Sequence, residues 1–369
     1  MIYLDYNAST PVDEAVRDAM LPYLGRFHGN PSSGHALGRP LRDAIEKARG
    51  QVASLIAARP DEIVFTASGT EANNHVIKGI AHARRKRGNH IITSKIEHPA
   101  VTNPCRFLES AGYEVSYVGA DSTGKIDPQE VAGEVRGTTI LISIMHANNE
   151  VGTIQNIAEI AVIAKDGGVL MHTDAAQSCG KIPTDVRELG VDFLSIAGHK
   201  LYGPQGIGAL YIRNGVSLEP LLHGAGHQGG RRAGTEPTAM IVGLGAACDL
   251  AKRCKYDGRI LALRDRLHDG LKQRLGDNLV LLGHPVECLP NTLCVAFRGR
   301  IGAEVLDACP DICASTGSAC HSGRRERSAT LAAMDIPEEL AFGAVRFSVG
   351  RLTTEAEIDA AVEQLAGAL

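Results

Sequence analysis

Between about residues 60 and 215, short β-branched apolar runs recur with helix-like segments between them: EIVFTAS, HIITSK, EVSYVGA, TILISIMH, GVLMHTDA, VDFLSIAG and GALYIRN. Seven runs at this cadence predict an α/β domain built around a largely parallel sheet. Ligands of such sheets gather beyond the carboxyl ends of the strands. The polar stretches SGTE, EHPA, HANNE, TDAAQS and GHK follow those strands, so an active site is expected along that edge. The glycine-rich HGAGHQGGRRAGTEP at 223–237 reads as a long loop. Beyond it, helix-like IVGLGAACDLAKRC and RDRLHDGLKQRL, the short strands TLCVAFRG and AVRFSVG, and a closing helix EAEIDAAVEQLAGAL predict a second, smaller α/β domain from about residue 250.

Composition narrows the class without naming it. A chain of 369 residues that is 44% hydrophobic can bury sizeable cores. Its net charge of -4 gives no general pull toward nucleic acid or an anionic membrane. The basic run ARRKRG at 83–88 follows EANNHVIKGIAHA and ends in Gly88, the usual arrangement at a helix C-terminus. MIYLDYNAST lacks a basic leader, and no later run approaches the roughly 20 apolar residues of a membrane span, so a cytoplasmic protein is expected. Nine cysteines form an odd set with neither disulfide density nor a CxxC pair, which argues for free thiols and against a metal site.

The candidate chemistry lies at the strand ends. Lys200 closes an apolar strand inside a glycine-rich loop, where desolvation lowers a lysine's pKa and equips it to form a Schiff base with an aldehyde. Taken alone it reads better as a lysine snorkelling out of the loop. Asp174 follows the strand VLMHT; it can hold a pyridine nitrogen protonated, or simply cap the AAQSCG turn. SGT followed by a helix offers a phosphate the N–H groups of Gly69 and Thr70, the Thr70 hydroxyl and the positive helix end, and is also a common capping motif. His199 adds a further donor. His98, after HIITSK, can lie over an aromatic ring and exchange protons near neutral pH. Asn149 is an amide donor, and Gln177 can reach a phenolate oxygen. Each signal is weak by itself; together they name one cofactor, pyridoxal 5'-phosphate, at one sheet edge.

Cys320 sits in ASTGSACHSG with almost nothing apolar to bury it and three arginines behind it, Arg324, Arg325 and Arg327. Those arginines either lower its pKa or merely solvate a loop.

In order and spacing, SGTEANN, EHPA, HANNEVG, HTDAAQS, GHKLYGPQGIGALY, RRAGTEP, STGSACHS and RFSVGRLTT resemble the cysteine desulfurases of the NifS-like branch of the class V aminotransferases. The likeness runs from LDYNASTP to the last helix. It implies the type I pyridoxal-phosphate fold, a large domain at 15–249 with a mainly parallel seven-stranded sheet, and a small domain from 1–14 and 250–369 carrying the catalytic cysteine. It implies a homodimer with sites at the interface. Lys200 would hold the cofactor, Asp174 the pyridine nitrogen and Gln177 the ring oxygen, with His98 stacked on the ring. Gly69, Thr70 and His199 would bind phosphate, with Thr235 reaching over from the other subunit. Asn149 and Arg346 would orient the substrate, Arg346 through a bidentate grip on its carboxylate.

Cys320 would then be the nucleophile that takes sulfur from L-cysteine, on a mobile loop. Lys200 would remove the Cα proton, L-alanine would be released, and the persulfide would pass to a sulfur-acceptor protein such as an iron-sulfur scaffold. A selenocysteine lyase is the nearest alternative, since ACHS resembles that subfamily; an aminotransferase of the same fold is another. Three positions depart from the pattern: Ala197 replaces a phosphate-binding serine, Arg327 replaces a common proline, and the chain stops soon after its last helix, which leaves scaffold docking open.

Overall fold

All seven apolar runs form strands of one sheet: β2 (Ile63–Thr66), β3 (His90–Ser94), β4 (Glu114–Val118), β5 (Thr139–Ser143), β6 (Leu170–Asp174), β7 (Phe193–Ala197) and β8 (Gly208–Ile212). A two-residue strand, β1 (Ile2–Tyr3), precedes them. The structure is a computed structural model that describes residues 1–254, 258–316, 318–321 and 324–368, with the backbone alone at 318–321 and 324–326.

The sheet order is β2-β8-β7-β6-β5-β3-β4. β8 runs antiparallel to both its neighbours, and every other pairing is parallel. Strand alternation divides the side chains between two cores. Phe65, Ile92, Ile142, Met171, Leu194 and Ile196 pack into one; Val64, Ile91, Leu141, Leu170 and Phe193 pack into the other. With both faces covered, the strands read as nearly continuous apolar runs.

Helices supply the covers. Val76, Ile77 and Ile80 of α3 (Gly69–Arg84) and Val101, Cys105 and Leu108 of α4 (Pro99–Ser110) close one face. α1 (Glu14–Leu24), α2 (Arg39–Leu55), α6 (Ile157–Asp166) and α8 (Thr238–Arg253) close the other, while α5 (Pro128–Glu134) and α7 (Val186–Leu189) are short connections. The hydrophobic pattern left 14–24 and 39–55 unassigned. Leu41, Ile45, Ala48 and Val52 nevertheless recur at helical spacing and are buried, and Asp13 caps α1 by accepting the Ala15 N–H at 2.9 Å.

The second sheet is antiparallel throughout, in the order β12 (Ser315–Thr316), β15 (Ala344–Ser348), β10 (Thr292–Phe297), β9 (Leu279–Leu282). Its core takes Leu263, Leu267 and Leu271 from α9 (Gly258–Leu275) and Ile358 and Leu365 from α13 (Glu355–Gly367). Ile2 and Leu4 join the same core, and β1 pairs in parallel with β11 (Ile312–Cys313). α10 (Gly302–Asp307), α11 (Ala329–Ala333) and α12 (Glu338–Phe342) fill the connections. Around Cys320, where a loop was expected, the backbone forms an antiparallel ladder between β13 (Ser318–His321) and β14 (Arg324–Arg327), with Cys320 opposite Arg325. No apolar periodicity in SACH or RRER announced it.

Candidate active site

The polar ends of the parallel strands meet at one edge, and α3 brings an anion-binding end to it. Ser68 caps the helix by accepting the Glu71 N–H at 3.1 Å, and Glu71 in turn accepts the Ala67 N–H at 2.9 Å. The capping reading of SGTE is therefore correct. It also leaves the N–H groups of Gly69 and Thr70 without a partner among the described residues, as an anion site requires. The helix approaches closely because neither neighbour carries bulk. A Cβ on Gly69 would lie 3.2 Å from the Ala197 methyl, and one on Gly208 would lie 2.6 Å from backbone atoms of both Ser68 and Ile196. Ala197, the departure noted in the sequence, thus lies beside the first turn of α3 but offers it no hydroxyl.

Asp174 ends β6 and is only 7% exposed. Its Oδ2 accepts from Asn73 Nδ2 at 2.7 Å and its Oδ1 from the Ala176 N–H at 2.9 Å. The turn-capping role holds for one oxygen, while Asn73, one helical turn after Gly69, holds the other. Behind Asp174, His172 bridges Ser143 of β5 at 2.8 Å and Ser195 of β7 at 3.0 Å. Burial pushes this imidazole down to about 3, so it stays neutral and ties three strands together just below the site.

Lys200 ends a single 3-10 turn, Gly198–Lys200, that leaves β7. Its ammonium donates to the Asn7 carbonyl and, at 2.8 Å, to that of Ala8. Gln177 Nε2 donates to the same Asn7 carbonyl at 2.9 Å, so both donors converge on one oxygen. Desolvation, with Arg346 nearby, lowers the Lys200 pKa to about 8 against the opposing pull of Asp5 and Asp174. The neutral amine is therefore available near pH 8, where an ordinary lysine remains protonated. In the cofactor-free protein, the rate at which an amine-selective acylating reagent modifies Lys200, read by peptide mapping, should rise with a midpoint of about 8. A midpoint at the ordinary lysine value of about 10.4 would contradict the desolvated environment.

His98 caps α4, its Nδ1 accepting the Ala100 N–H at 3.0 Å. The neutral ring consequently carries its proton on Nε2. Burial lowers its pKa, Asp174 raises it and Lys200 lowers it further, which puts the three groups within electrostatic reach. His199 is pushed down to about 4 by burial, Lys200 and His98.

Arg346 projects from β15 and is 9% exposed. Its Nη1 donates to the Asn149 carbonyl at 2.9 Å, and its Nη2 to Asp5 Oδ1 at 2.7 Å and Ser315 Oγ at 2.9 Å. The guanidinium is thus held in a largely buried ion pair with Asp5. Nε remains buried with no hydrogen-bond partner, a donor ready for one more acceptor. Asn149 and His98 line a cavity of about 1460 Å³, and Lys200 lines another of about 530 Å³.

Two expected participants stand apart. Thr235 lies exposed in the 223–237 loop, which Arg232 ties to α3 through Glu71 at 2.9 Å. The side chain of Cys320 lies outside the described residues, and its strand starts two residues after Thr316, next to Ser315, which pairs with Arg346.

The sequence reading passed over Asn7, Asp5, Asn73 and Lys181. Asn7 is 1% exposed and bonds to Ser348, Thr292, Asn291, Lys181, Gln177 and Lys200. The available signal was the polar Asp5 and Asn7 inside LDYNAST, close to the buried Leu4 and Tyr6.

This arrangement defines the class: the type I pyridoxal-phosphate fold, with a lysine and an acid at the carboxyl edge of a seven-stranded sheet. The family model for class-V aminotransferases matches residues 2–361, and the chain belongs to that family, whose members depend on pyridoxal phosphate. It is 46% identical over 368 residues to cysteine desulfurase IscS of Dictyoglomus turgidum, covering 99% of this chain and 93% of that protein. It is 47% identical over 362 residues to cysteine desulfurase 2 of Trichormus variabilis, covering 97% and 90%. Among solved structures, a NifS-like protein superposes with a TM-score of 0.93 at 36% identity over 99% and 98% of the two chains. A structure described as SspA in complex with cysteine superposes with a TM-score of 0.84 at 38% identity over 95% and 99%.

Proposed function

We infer that this chain is a pyridoxal-phosphate-dependent cysteine desulfurase, converting L-cysteine to L-alanine and leaving the sulfur as a persulfide on Cys320. The observation that carries the reading is the meeting of Lys200, Gln177, Asp174 and the Gly69 and Thr70 N–H groups of α3, unpartnered among the described residues, at one strand edge. The residues fit the cofactor. Gly69, Thr70 and His199 offer donors for its phosphate where a side chain at 69 would crowd Ala197. Asp174, immobilised at both oxygens, would hold the ring nitrogen, and Gln177, whose Nε2 donates to the Asn7 carbonyl, would offer that donor to the ring oxygen. With Ala197 in place of serine, the phosphate leans more on His199 and on Thr235 of the second subunit.

When bound, pyridoxal phosphate supplies an electron sink that acidifies the Cα–H of an attached amino acid. The chain's residues do the rest. Arg346 receives the substrate carboxylate through its unpartnered Nε and an Nη released from Asp5, while Asn149 orients the substrate. Lys200, neutral at moderate pH, takes the Cα proton at Nζ. His98, with Nδ1 occupied by Ala100, donates from Nε2 rather than accepting there. Cys320 thiolate attacks the substrate sulfur; the S–S bond forms as the Cβ–S bond breaks, and the electron pair stays on the carbon skeleton, which takes up protons and leaves as alanine.

The domain division follows the same reading: 15–249 form the cofactor domain, and 1–14 with 250–369 form the small one, consistent with Ile2 and Leu4 packing among α9 and α13. A cytoplasmic homodimer that passes its persulfide sulfur to an acceptor protein completes the proposal.

Purified protein loaded with pyridoxal phosphate should form alanine from L-cysteine in step with sulfide released by added dithiothreitol. Formation of 3-mercaptopyruvate with amination of the cofactor would instead establish an aminotransferase. A kcat/KM for selenocysteine exceeding that for cysteine by about a hundredfold or more would establish a selenocysteine lyase.

A further inference from the structure

Lys181 has no part in the chemistry above, yet its ammonium is placed with care. It lies four residues after Gln177, and Nζ donates to Gln177 Oε1 at 2.9 Å and to Asn7 Oδ1 at 3.0 Å. Both partners are amide oxygens, and a lysine nitrogen in either protonation state keeps at least two N–H donors for them. An amide that gives its oxygen to a lysine must turn its NH2 group the other way. For Gln177, Nε2 then faces the carbonyl of Asn7, the oxygen that also holds Lys200. For Asn7, Nδ2 faces Thr292 Oγ1 at 2.8 Å and the Asn149 carbonyl at 3.4 Å.

The position is a costly one for a cation. Desolvation, with Lys200 and Arg346 close by, holds the Lys181 pKa well below the ordinary lysine value. A side chain retained against those forces has work that an apolar residue of similar length could not do. Two amides with opposite polarity at their two ends supply that work. Flipped, Gln177 would present an acceptor to an acceptor, and Asn7 would turn Oδ1 toward the Asn149 carbonyl.

We propose that Lys181 is a positioning residue that locks the Gln177 amide so that Nε2, not Oε1, would meet the cofactor's ring oxygen, and that together with Asn291 it holds the Asn7 amide with Nδ2 toward Asn149. The proposal rests on the cofactor assignment made above and adds to it the group that decides which end of Gln177 the ring oxygen meets. It acts through Gln177 and touches neither substrate nor cofactor.

The test uses the full chain loaded with pyridoxal phosphate, comparing wild type, Lys181→Met, Lys181→Gln, Gln177→Ala and the Lys181→Met/Gln177→Ala double variant. Two quantities are read: the pH midpoint of the visible band of the lysine-bound cofactor, and cofactor affinity by equilibrium dialysis. Loss of a donor to the ring oxygen disfavours the phenolate. Lys181→Met should therefore raise the midpoint by about one pH unit and weaken cofactor binding about tenfold. Lys181→Gln, which retains an NH2 donor, should lie nearer wild type and serves if the methionine variant does not fold. In the Gln177→Ala background, Lys181→Met should add no further shift, because the residue it orients is gone. A wild-type midpoint in both single Lys181 variants, or the full shift still added in the Gln177→Ala background, overturns the proposal. A wild-type protein with no visible band on adding cofactor overturns the cofactor assignment instead, so the two failures are distinct.

Discussion

Replacing Cys320 by serine should abolish alanine formation from L-cysteine, lowering kcat by about a thousandfold or more, while leaving the visible band of the bound cofactor unchanged. Serine keeps the size of the side chain and the backbone ladder opposite Arg325, so a loss of turnover reports on the thiol. A hydroxyl at neutral pH is far less nucleophilic than a thiol with an appreciable thiolate fraction, and an S–O bond is no substitute for a persulfide. The chain path makes the role physically reachable: Cys320 lies four residues beyond Thr316, a span of at most about 14 Å from the ladder that holds Arg346. The measurement pairs alanine quantification with a persulfide-selective label and peptide mapping. Undiminished alanine release by Cys320→Ser would remove the nucleophile from the mechanism.

Lys200→Ala should have the larger consequence, removing the group that attaches the cofactor and the base together. We expect kcat to fall by about 10⁴-fold, the upper range for a positioned general base, with loss of the visible band of a lysine-bound cofactor. Borohydride reduction followed by peptide mapping should fix the cofactor on Lys200 in the wild type and on no peptide of the variant. A small primary amine supplied in solution should restore part of the rate if the missing function is proton transfer. Wild-type absorbance in Lys200→Ala would show that the anchor is another residue.

The strands of the large sheet were legible because both of its faces are covered, which writes each strand as an unbroken apolar run. The helices at 14–24 and 39–55 were harder: their buried positions, such as Ile45 and Val52 of α2, are diluted by charged residues on the outer face. Candidate residues such as Asp174, His98 and Lys200 stood out because each lies at or just after a strand end, which is where the fold places them. Asn7, Asp5 and Lys181 were not, because their importance lies in partners far away in the chain; Asp5 meets Arg346 across 341 positions. Arg346 shows the same limit from the other side. The family resemblance implies a carboxylate grip, whereas the folded chain supplies a carboxylate of its own and leaves Nε as the unpartnered donor.

The pairing of β1 with β11 and the bond from Asp5 to Arg346 also have a consequence for biosynthesis. A ribosome making this protein delivers residues 2 to 8 well before their counterparts at 312 to 348. At about 5–20 residues per second, Asp5 waits on the order of tens of seconds for Arg346 to emerge. Throughout that interval Asp5 lacks its guanidinium, so a nascent chain can assemble what Lys200 and Gln177 hold of Asn7 before it owns any grip for an incoming carboxylate.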